Sequence, residues 1–379
     1  MTETPGTRPS LLILSYSHLY RDARILRQIA TFSDVYDITT MGYGPRPEGV
    51  QAHVEIPGDI IYWKVNRPLV MARFFQTAYD RAVITRYVRE KLRPGQFDLI
   101  LANDVHAVPV AITLKPRLGV HADLHEYTTR QQEEMWRYRT FLAPYYGYLI
   151  RRWVRQADSV TTVGVALAKE YQREFGLDCG VVFNAPSRVD LPVGEVGQPV
   201  RLVHAGGATP VRLETILEAM DLVTSGATLD LYLVDVGSGY AAQVAQRFAD
   251  HPRVRVHDGV PTDQLVSTLN GYDVGIHILP PVSFNHQYAM PNKLFDFIQA
   301  RLGVLVGPNP EMAATVTEHD LGWVTEDHTA AKVAETIDQL TAESVAAAKA
   351  ASDRASAVLC AEEQVTGWVE PIAKLAAGR

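Results

Sequence analysis

Tyr288-Ala-Met-Pro-Asn-Lys-Leu-Phe-Asp-Phe-Ile-Gln-Ala-Arg-Leu-Gly-Val-Leu-Val-Gly-Pro-Asn-Pro310 decides how the chain is read. Pro291 suits a first helical turn, Leu294, Phe295 and Ile298 recur at helical spacing, and Gly303 stands where the helix must stop. Val304-Leu-Val306 then reads as a short strand buried on both faces, closed by Gly307-Pro-Asn-Pro310. Such a unit aims its helix amino terminus, with Asn292 and Lys293 beside it, at a ligand. That outlines an anion site.

The same strand and helix rhythm spreads in both directions. In the first half, strands are predicted at 11–14, 35–40, 97–102, 118–125, 159–163 and 180–183. A helix over 22–32 puts Ile25, Leu26, Ile29 and Ala30 on one face and Arg21, Arg24 and Arg27 opposite. A long amphipathic helix is expected over 71–91, and a helical stretch over 131–156 with a break near Pro144. Residues 184–199 are rich in Pro and Gly without periodicity and read as a linker. Strands resume at 200–204, 229–234, 254–257, 274–278, 304–306 and 322–324, and an Ala-rich helical tail covers 331–377 with a break near Cys360. Alternation in both halves predicts an α/β protein of two Rossmann-like, doubly wound parallel sheets facing a central cleft. The expected domains are 1–184, a linker at 185–199, 200–365, and a terminal helix over 366–379.

Composition narrows the function classes. With 379 residues and 47% hydrophobic content the chain can build two cores, and a net charge of −7 argues against a general nucleic-acid binder. Cys179 and Cys360 have no paired metal spacing and are expected to be reduced, in a cytosolic compartment. The apolar run 11–14 is too short for a signal core or a spanning helix.

In doubly wound sheets, ligands bind beyond the carboxyl ends of the strands. That rule selects Ser17 and His18, then Asn103, Asp104 and His106, then Asp123, His125 and Glu126. His121, Asp123 and His125 would share one face of a strand. Three ligands on one strand rarely close around one ion, so no metal site is expected; contact with a substrate hydroxyl and a hydrogen-bonded structural histidine both stay open. In the second half, Gly206-Gly207 follows a strand and precedes a helix with Arg212 in its first turn. Glycine lets backbone approach a phosphate, and Arg212 and Lys293 supply positive potential. A tight strand-to-helix turn would use the same glycines. Gly237-Ser-Gly239, with Asp258 about twenty residues on, imitates a dinucleotide fingerprint, but it follows the second strand of its half and not the first. Residues 131–155 interleave Trp and Tyr with Arg, a composition that suits either an anionic membrane surface or a helix packing its aromatics inward.

Met290-Pro-Asn-Lys-Leu-Phe-Asp-Phe with the downstream Gly-Val-Leu-Val-Gly-Pro resembles the donor-site signature of retaining glycosyltransferases of the GT-B architecture, of the family 4 type. Asp22-Ala-Arg-Ile-Leu-Arg27, Ala122-Asp-Leu-His-Glu126, Val182-Phe-Asn-Ala-Pro186, 206–212 and Val254-Arg-Val-His-Asp-Gly-Val260 match in order. The resemblance implies that His125 lies near the reacting sugar, that Arg212 and Lys293 bind the donor diphosphate, that Asp296 stands at the ribose, and that Gly259 and Val260 face the nucleobase. It also implies a last helix, about 366–376, that crosses back onto the first domain. Three departures stand out: Tyr288 replaces a glutamate that often meets the donor sugar, Gly207 replaces an arginine, and Asp296 is one methylene short of glutamate.

Together these readings predict metal-independent transfer of a sugar from a nucleoside diphosphate sugar to a glycan, lipid-linked or small-molecule acceptor, with retention. His125, Arg212 and Lys293 are the expected catalytic residues and no cofactor is expected. Gly206, Gly207, Asp258, Gly259, Val260, Tyr288, Asn292 and Asp296 are expected on the donor, and Ser17, His18, Asn103, Asp104, His106, Asp123 and Glu126 on the acceptor. Expected partners are the nucleotide sugar, the acceptor and an anionic membrane surface at 131–155, with no nucleic acid. The expected location is the cytoplasm, with peripheral attachment to the inner face of the plasma membrane. The alternatives are a nucleotide-sugar epimerase or hydrolase on the same fold, and a non-catalytic nucleotide- or sugar-binding subunit.

Overall fold

The computed structural model of the chain describes residues 8–378. They divide into two compact units. One runs to Phe183 and takes in Ser283–Asn285 and the chain from Val365 on; the other comprises Asn184–Val282 and His286–Gln364.

The first unit holds a parallel sheet of β1 (Ser10–His18), β2 (Asp37–Tyr43), β3 (Ala52–Ile56), β4 (Leu99–Asn103), β5 (Gly119–Leu124), β6 (Ser159–Thr162) and β7 (Gly180–Val181), in the order β3-β2-β1-β4-β5-β6-β7. The order reverses between β1 and β4, so the ends of those strands open a crevice. Leu11 and Ile13 on β1 pack with Ile25 and Ile29 of the helix Ala23–Phe32, and Trp368, Ile372 and Leu375 of the terminal helix Thr366–Ala376 join the same core. Continuous apolar strands follow from burial on both faces.

The second unit holds β8 (Arg201–Gly207), β9 (Thr228–Val234), β10 (Val254–Asp258), β11 (Val274–His277), β12 (Gly303–Val306) and β13 (Gly322–Val324), all parallel, in the order β10-β9-β8-β11-β12-β13. Its switch point lies between β8 and β11. The helix Asn292–Gln299 lies close on β11 because residue 275 is glycine; a Cβ there would overlap the Phe297 ring.

Several expectations need correction. The helix expected over 71–91 is three helices, Arg67–Met71, Phe75–Asp80 and Val83–Lys91: Arg73, with a left-handed backbone at φ of 62°, separates the first two, and Ala82 in an extended conformation precedes the third. Arg24 is not on a solvent face: it is 4% exposed. Over 131–156, regular helix is confined to Ala143–Arg152, preceded by a π-helical turn Tyr138–Leu142. Its Tyr138, Tyr145 and Tyr146 are buried while Met135 and Trp136 are exposed, so three of its four tyrosines pack inward. The first strand, expected over 11–14, runs on to His18, and Gly206-Gly207 are the last residues of β8 rather than its turn, pairing with Leu233 and Val234.

Candidate functional site

At the end of β5 in the first unit, Asp123 is fully buried. Arg24 donates to both its oxygens, Nε to Oδ2 and Nη2 to Oδ1 at 2.7 Å each, Gln28 Nε2 donates to Oδ2 at 2.8 Å, and Thr161 Oγ1 donates to Oδ1 at 2.7 Å. Burial alone would raise its pKa; the Arg24 charge and the hydrogen bonds from His125 and Arg24 win and hold the carboxyl well below the carboxylate range. Asp123 is therefore saturated from inside, which corrects its expected contact with an acceptor. Arg24 and Gln28, four residues apart on one helix face, were missed. Their signal was a charged and a polar residue on the face toward β5, and helical periodicity cannot say where that face points.

His125 follows one residue beyond β5 and keeps 20% of its side chain exposed. Its backbone N–H donates to Asp104 Oδ1 at 3.0 Å, its Nε2 lies 3.1 Å from Asn103 Oδ1 and 3.5 Å from Asp123 Oδ2, and its Nδ1 is 3.5 Å from Asp104 Oδ2. Burial opposes protonation of this imidazole, yet Asp104 and Asp123 outweigh it and raise the pKa above the ordinary histidine value. Gln28 Nε2 also reaches Asn103 Oδ1 at 2.9 Å. The structure thus brings Asn103, Asp104, Asp123 and His125 together. Asp104 holds a left-handed backbone, φ 67°, which turns its carboxylate toward His125. Tyr62 belongs to the same neighbourhood: burial, then Asp104 and Glu126, push its phenol up to about 12.

The remaining first-unit candidates have contacts of their own. His106 bonds through Nε2 to the Tyr146 hydroxyl at 3.0 Å and lies edge-on to Tyr62, and burial brings its pKa down to about 4. Ser17 shares a 3.0 Å hydrogen bond with Ser15, and His18 packs on Tyr20 and Tyr43. Glu126 is exposed, and its carbonyl accepts from Tyr171 at 2.7 Å. His121 gives both ring nitrogens to Ser159 and Thr161, at 2.8 and 2.9 Å, so it is a structural member of this face.

In the second unit, the end of β8 is built for close approach. Gly206 has φ of 136°, and a Cβ on it would collide with Nζ and Cε of Lys293. A Cβ on Gly207 would lie 3.5 Å from Arg212 Nη1. Lys293 and Arg212 are thus gathered over two glycines, and among the described residues neither forms an ion pair. Burial, then repulsion from Arg212, bring the Lys293 pKa down to about 8 against the attraction of Asp296. The helices Pro210–Leu222 and Asn292–Gln299 both begin here, at Thr209 and Pro291, without a side-chain cap. Amides without a side-chain cap and two cations outside any ion pair make positive potential that Asp296 offsets only in part.

Two residues that sequence reasoning passed over line this place. His204 on β8 and His277 at the end of β11 stack at 5.6 Å with an interplanar angle of 23°. His204 Nδ1 bonds to the Ile276 carbonyl at 2.9 Å, whereas its Nε2 and both nitrogens of His277 have no hydrogen-bond partner among the described residues. Burial, then Lys293, bring His204 down to about 3, and the same causes depress His277 well below its ordinary value. Both rings therefore stay neutral and add no charge to the cation pair.

Asp296 is half-buried one turn on from Lys293, Asn292 is exposed beside it, and Tyr288 is half-buried in the preceding turn. Asp258 and Gly259 are exposed at the end of β10, followed by half-buried Val260; Gly259 must be small because Val234 covers it. The Gly237-Ser-Gly239 loop closes on itself: Asp235 Oδ1 accepts from the N–H groups of Gly237 and Gly239 at 3.2 and 3.1 Å.

Comparison with solved structures adds the fold's relatives. HepE of Anabaena, solved in complex with UDP-glucose, superposes with a TM-score of 0.66 at 14% identity, covering 98% of this chain and 100% of that one. The chain shares its two-domain fold. An α,α-trehalose-phosphate synthase (UDP-forming) of Burkholderia vietnamiensis gives a TM-score of 0.67 at 11% identity, over 98% of both chains. The pneumococcal O-GlcNAc transferase GtfA, in complex with UDP and GlcNAc, gives 0.59 at 13% identity over 78% of this chain and 60% of that one. No family model and no curated protein matches the sequence. The GT-B fold that the motifs implied is the fold the chain has.

Proposed function

We propose that the protein transfers a sugar from a nucleoside diphosphate sugar, of the UDP type, to a glycan, lipid-linked or small-molecule acceptor. The observation that carries this reading is the end of β8: two cations without a counter-ion over Gly206-Gly207, beside two helix amino termini that no side chain caps. A diphosphate matches that site in charge and in hydrogen-bond demand. Two neighbours of the fold, HepE and GtfA, were solved with UDP-glucose or UDP and with UDP and GlcNAc, which supports a uridine donor.

In this reading, charge that develops on the leaving diphosphate is met by Arg212, Lys293 and the helix amides, fixed before the reaction begins, so no metal ion is required of the step. The sugar is transferred with retention. Asp296 holds the ribose, and Gly259 and Val260 border the base. On the first unit, His125, kept in orientation by Asn103, Asp104 and Asp123, meets the reacting sugar, and Asp104, Glu126 and Tyr62 surround the acceptor. The protein works at a membrane surface, on its cytoplasmic side. No helix among the described residues is long and apolar enough to cross the bilayer.

Isothermal titration of UDP and GDP into the wild type and Arg212→Ala tests the donor site. UDP is expected to bind the wild type, and the variant to lose about tenfold or more in affinity, the worth of one hydrogen bond to a charged group. If neither nucleotide bound the wild type, the donor reading would fail.

A further inference from the structure

The break in the helix expected over 71–91 leaves a projecting tip. Met71, Ala72, Arg73 and Phe74 are exposed in succession, Met71 by 59% and Phe74 by 62%, between the helices Arg67–Met71 and Phe75–Asp80. Behind the tip lies an open groove of about 470 Å³ lined by Arg73, Phe75, Pro144, Tyr148, Arg151 and Arg152. Its walls are fixed: Gln76 Oε1 accepts from Tyr148 at 3.0 Å and from Trp153 Nε1 at 3.1 Å, and the Phe75 and Tyr148 rings lie 5.6 Å apart.

The charges in the groove are unbalanced. Arg73 and Arg152 form no ion pair among the described residues, Arg152 lying over the Trp153 ring at 4.9 Å. Among the described residues Arg151 has one ion pair, with Glu174 at 3.5 Å, and lies over the Phe175 ring at 4.9 Å. Three guanidinium groups on an aromatic floor suit a phosphodiester, and two apolar side chains on a tip suit the acyl boundary just beneath a layer of such groups. The helix Arg67–Met71 also packs against the turn Tyr138–Leu142, which follows the exposed Met135 and Trp136 in sequence.

We propose that this tip and groove dock the protein on an anionic phospholipid bilayer, with Met71 and Phe74 inserted and Arg73, Arg151 and Arg152 on the lipid phosphates. The site is separate from the residues assigned to nucleotide and acceptor, so it stands or falls independently of the donor reading. It also moves the membrane contact from the bulk of 131–155, whose tyrosines are mostly buried, to the tip at 71–74.

Co-sedimentation with phosphatidylcholine vesicles, with and without phosphatidylglycerol, is the test. The wild type is expected to pellet with the mixed vesicles, to be released as salt screens the arginines, and to stay in solution with phosphatidylcholine alone. Replacing all three arginines by glutamine should lower partitioning on the order of a hundredfold, at about a factor of five for each cation near an anionic surface. Arg73→Gln alone should give a fraction of that loss if the triple variant proves unstable. Met71→Ser with Phe74→Ser should weaken binding while keeping its salt dependence. An unchanged thermal unfolding curve and near-ultraviolet circular dichroism of each variant show that the first unit, which carries the substitutions, is intact. The proposal is overturned if the wild type ignores both vesicles, binds them equally, or keeps its affinity without the arginines. Release by free glycerol phosphate at constant ionic strength would make the groove a small-anion site and equally overturn the bilayer.

Discussion

The end of β5 in the first unit and the end of β8 in the second both lie at the carboxyl ends of strands in parallel sheets, yet they treat charge in opposite ways. At β5, Asp123 is buried with Arg24, Gln28 and Thr161 on it, and the helix Ala23–Phe32 is capped by its own carboxylate, Asp22, which accepts from the N–H groups of Arg24 and Ile25. At β8, Lys293 and Arg212 have no carboxylate paired to them, and both nearby helices start uncapped. A site that satisfies itself is a frame: it holds one group, His125, in place. A site that gathers unpaired positive charge is incomplete until an anion arrives, and burial makes that incompleteness costly.

The strongest challenge to this contrast is Arg24→Ala. It should cost about 3–5 kcal/mol of stability by leaving Asp123 buried without its cation, read as a large fall in melting temperature. The depressed carboxyl contributes stability above the ordinary carboxylate pKa and loses it as pH falls through the folded value, so the deficit should shrink in strong acid. A small effect at neutral pH would mean that the β5 cluster is no frame.

Lys293→Met should do the reverse, leaving stability unchanged or raised and weakening UDP by about ten- to a hundredfold. The pH dependence sharpens this. A Lys293 pKa of about 8 means that the cation is present below that pH, so wild-type affinity should hold below 8 and fall by up to about tenfold per pH unit above it. The fall should vanish in Lys293→Met; a flat wild-type titration would remove Lys293 from the site. The smallest effect belongs to Asp22→Ala, which should cost about 1 kcal/mol as a lost helix cap and leave UDP affinity alone.

Much of this was legible in the residues. The helix Asn292–Gln299 and the strand Gly303–Val306 after it lie where local periodicity and the Pro and Gly punctuation put them, and the terminal helix Thr366–Ala376 lies where the family resemblance put it. Lys293 and Arg212 were legible as cations near strand ends, because strand, turn and helix amino terminus follow within a few residues. The break at Arg73 was not, since Met71-Ala-Arg-Phe-Phe75 carries no Gly or Pro to announce it and a left-handed arginine is a tertiary outcome.

By itself, then, the sequence determined the alternation of strands and helices, the two sheets and the strand ends at which polar residues collect, since all of these follow from side-chain period and short-range turn chemistry. Which polar groups are spent inside the fold and which are left over was decided only in three dimensions. Arg24 and Asp123 are 99 positions apart and meet because β1, β4 and β5 are neighbours in one sheet. Lys293 meets Gly206 because Gly275 lets its helix settle against β11. Whether a charge is paired depends on strand order and close packing between distant segments, and no local pattern carries either.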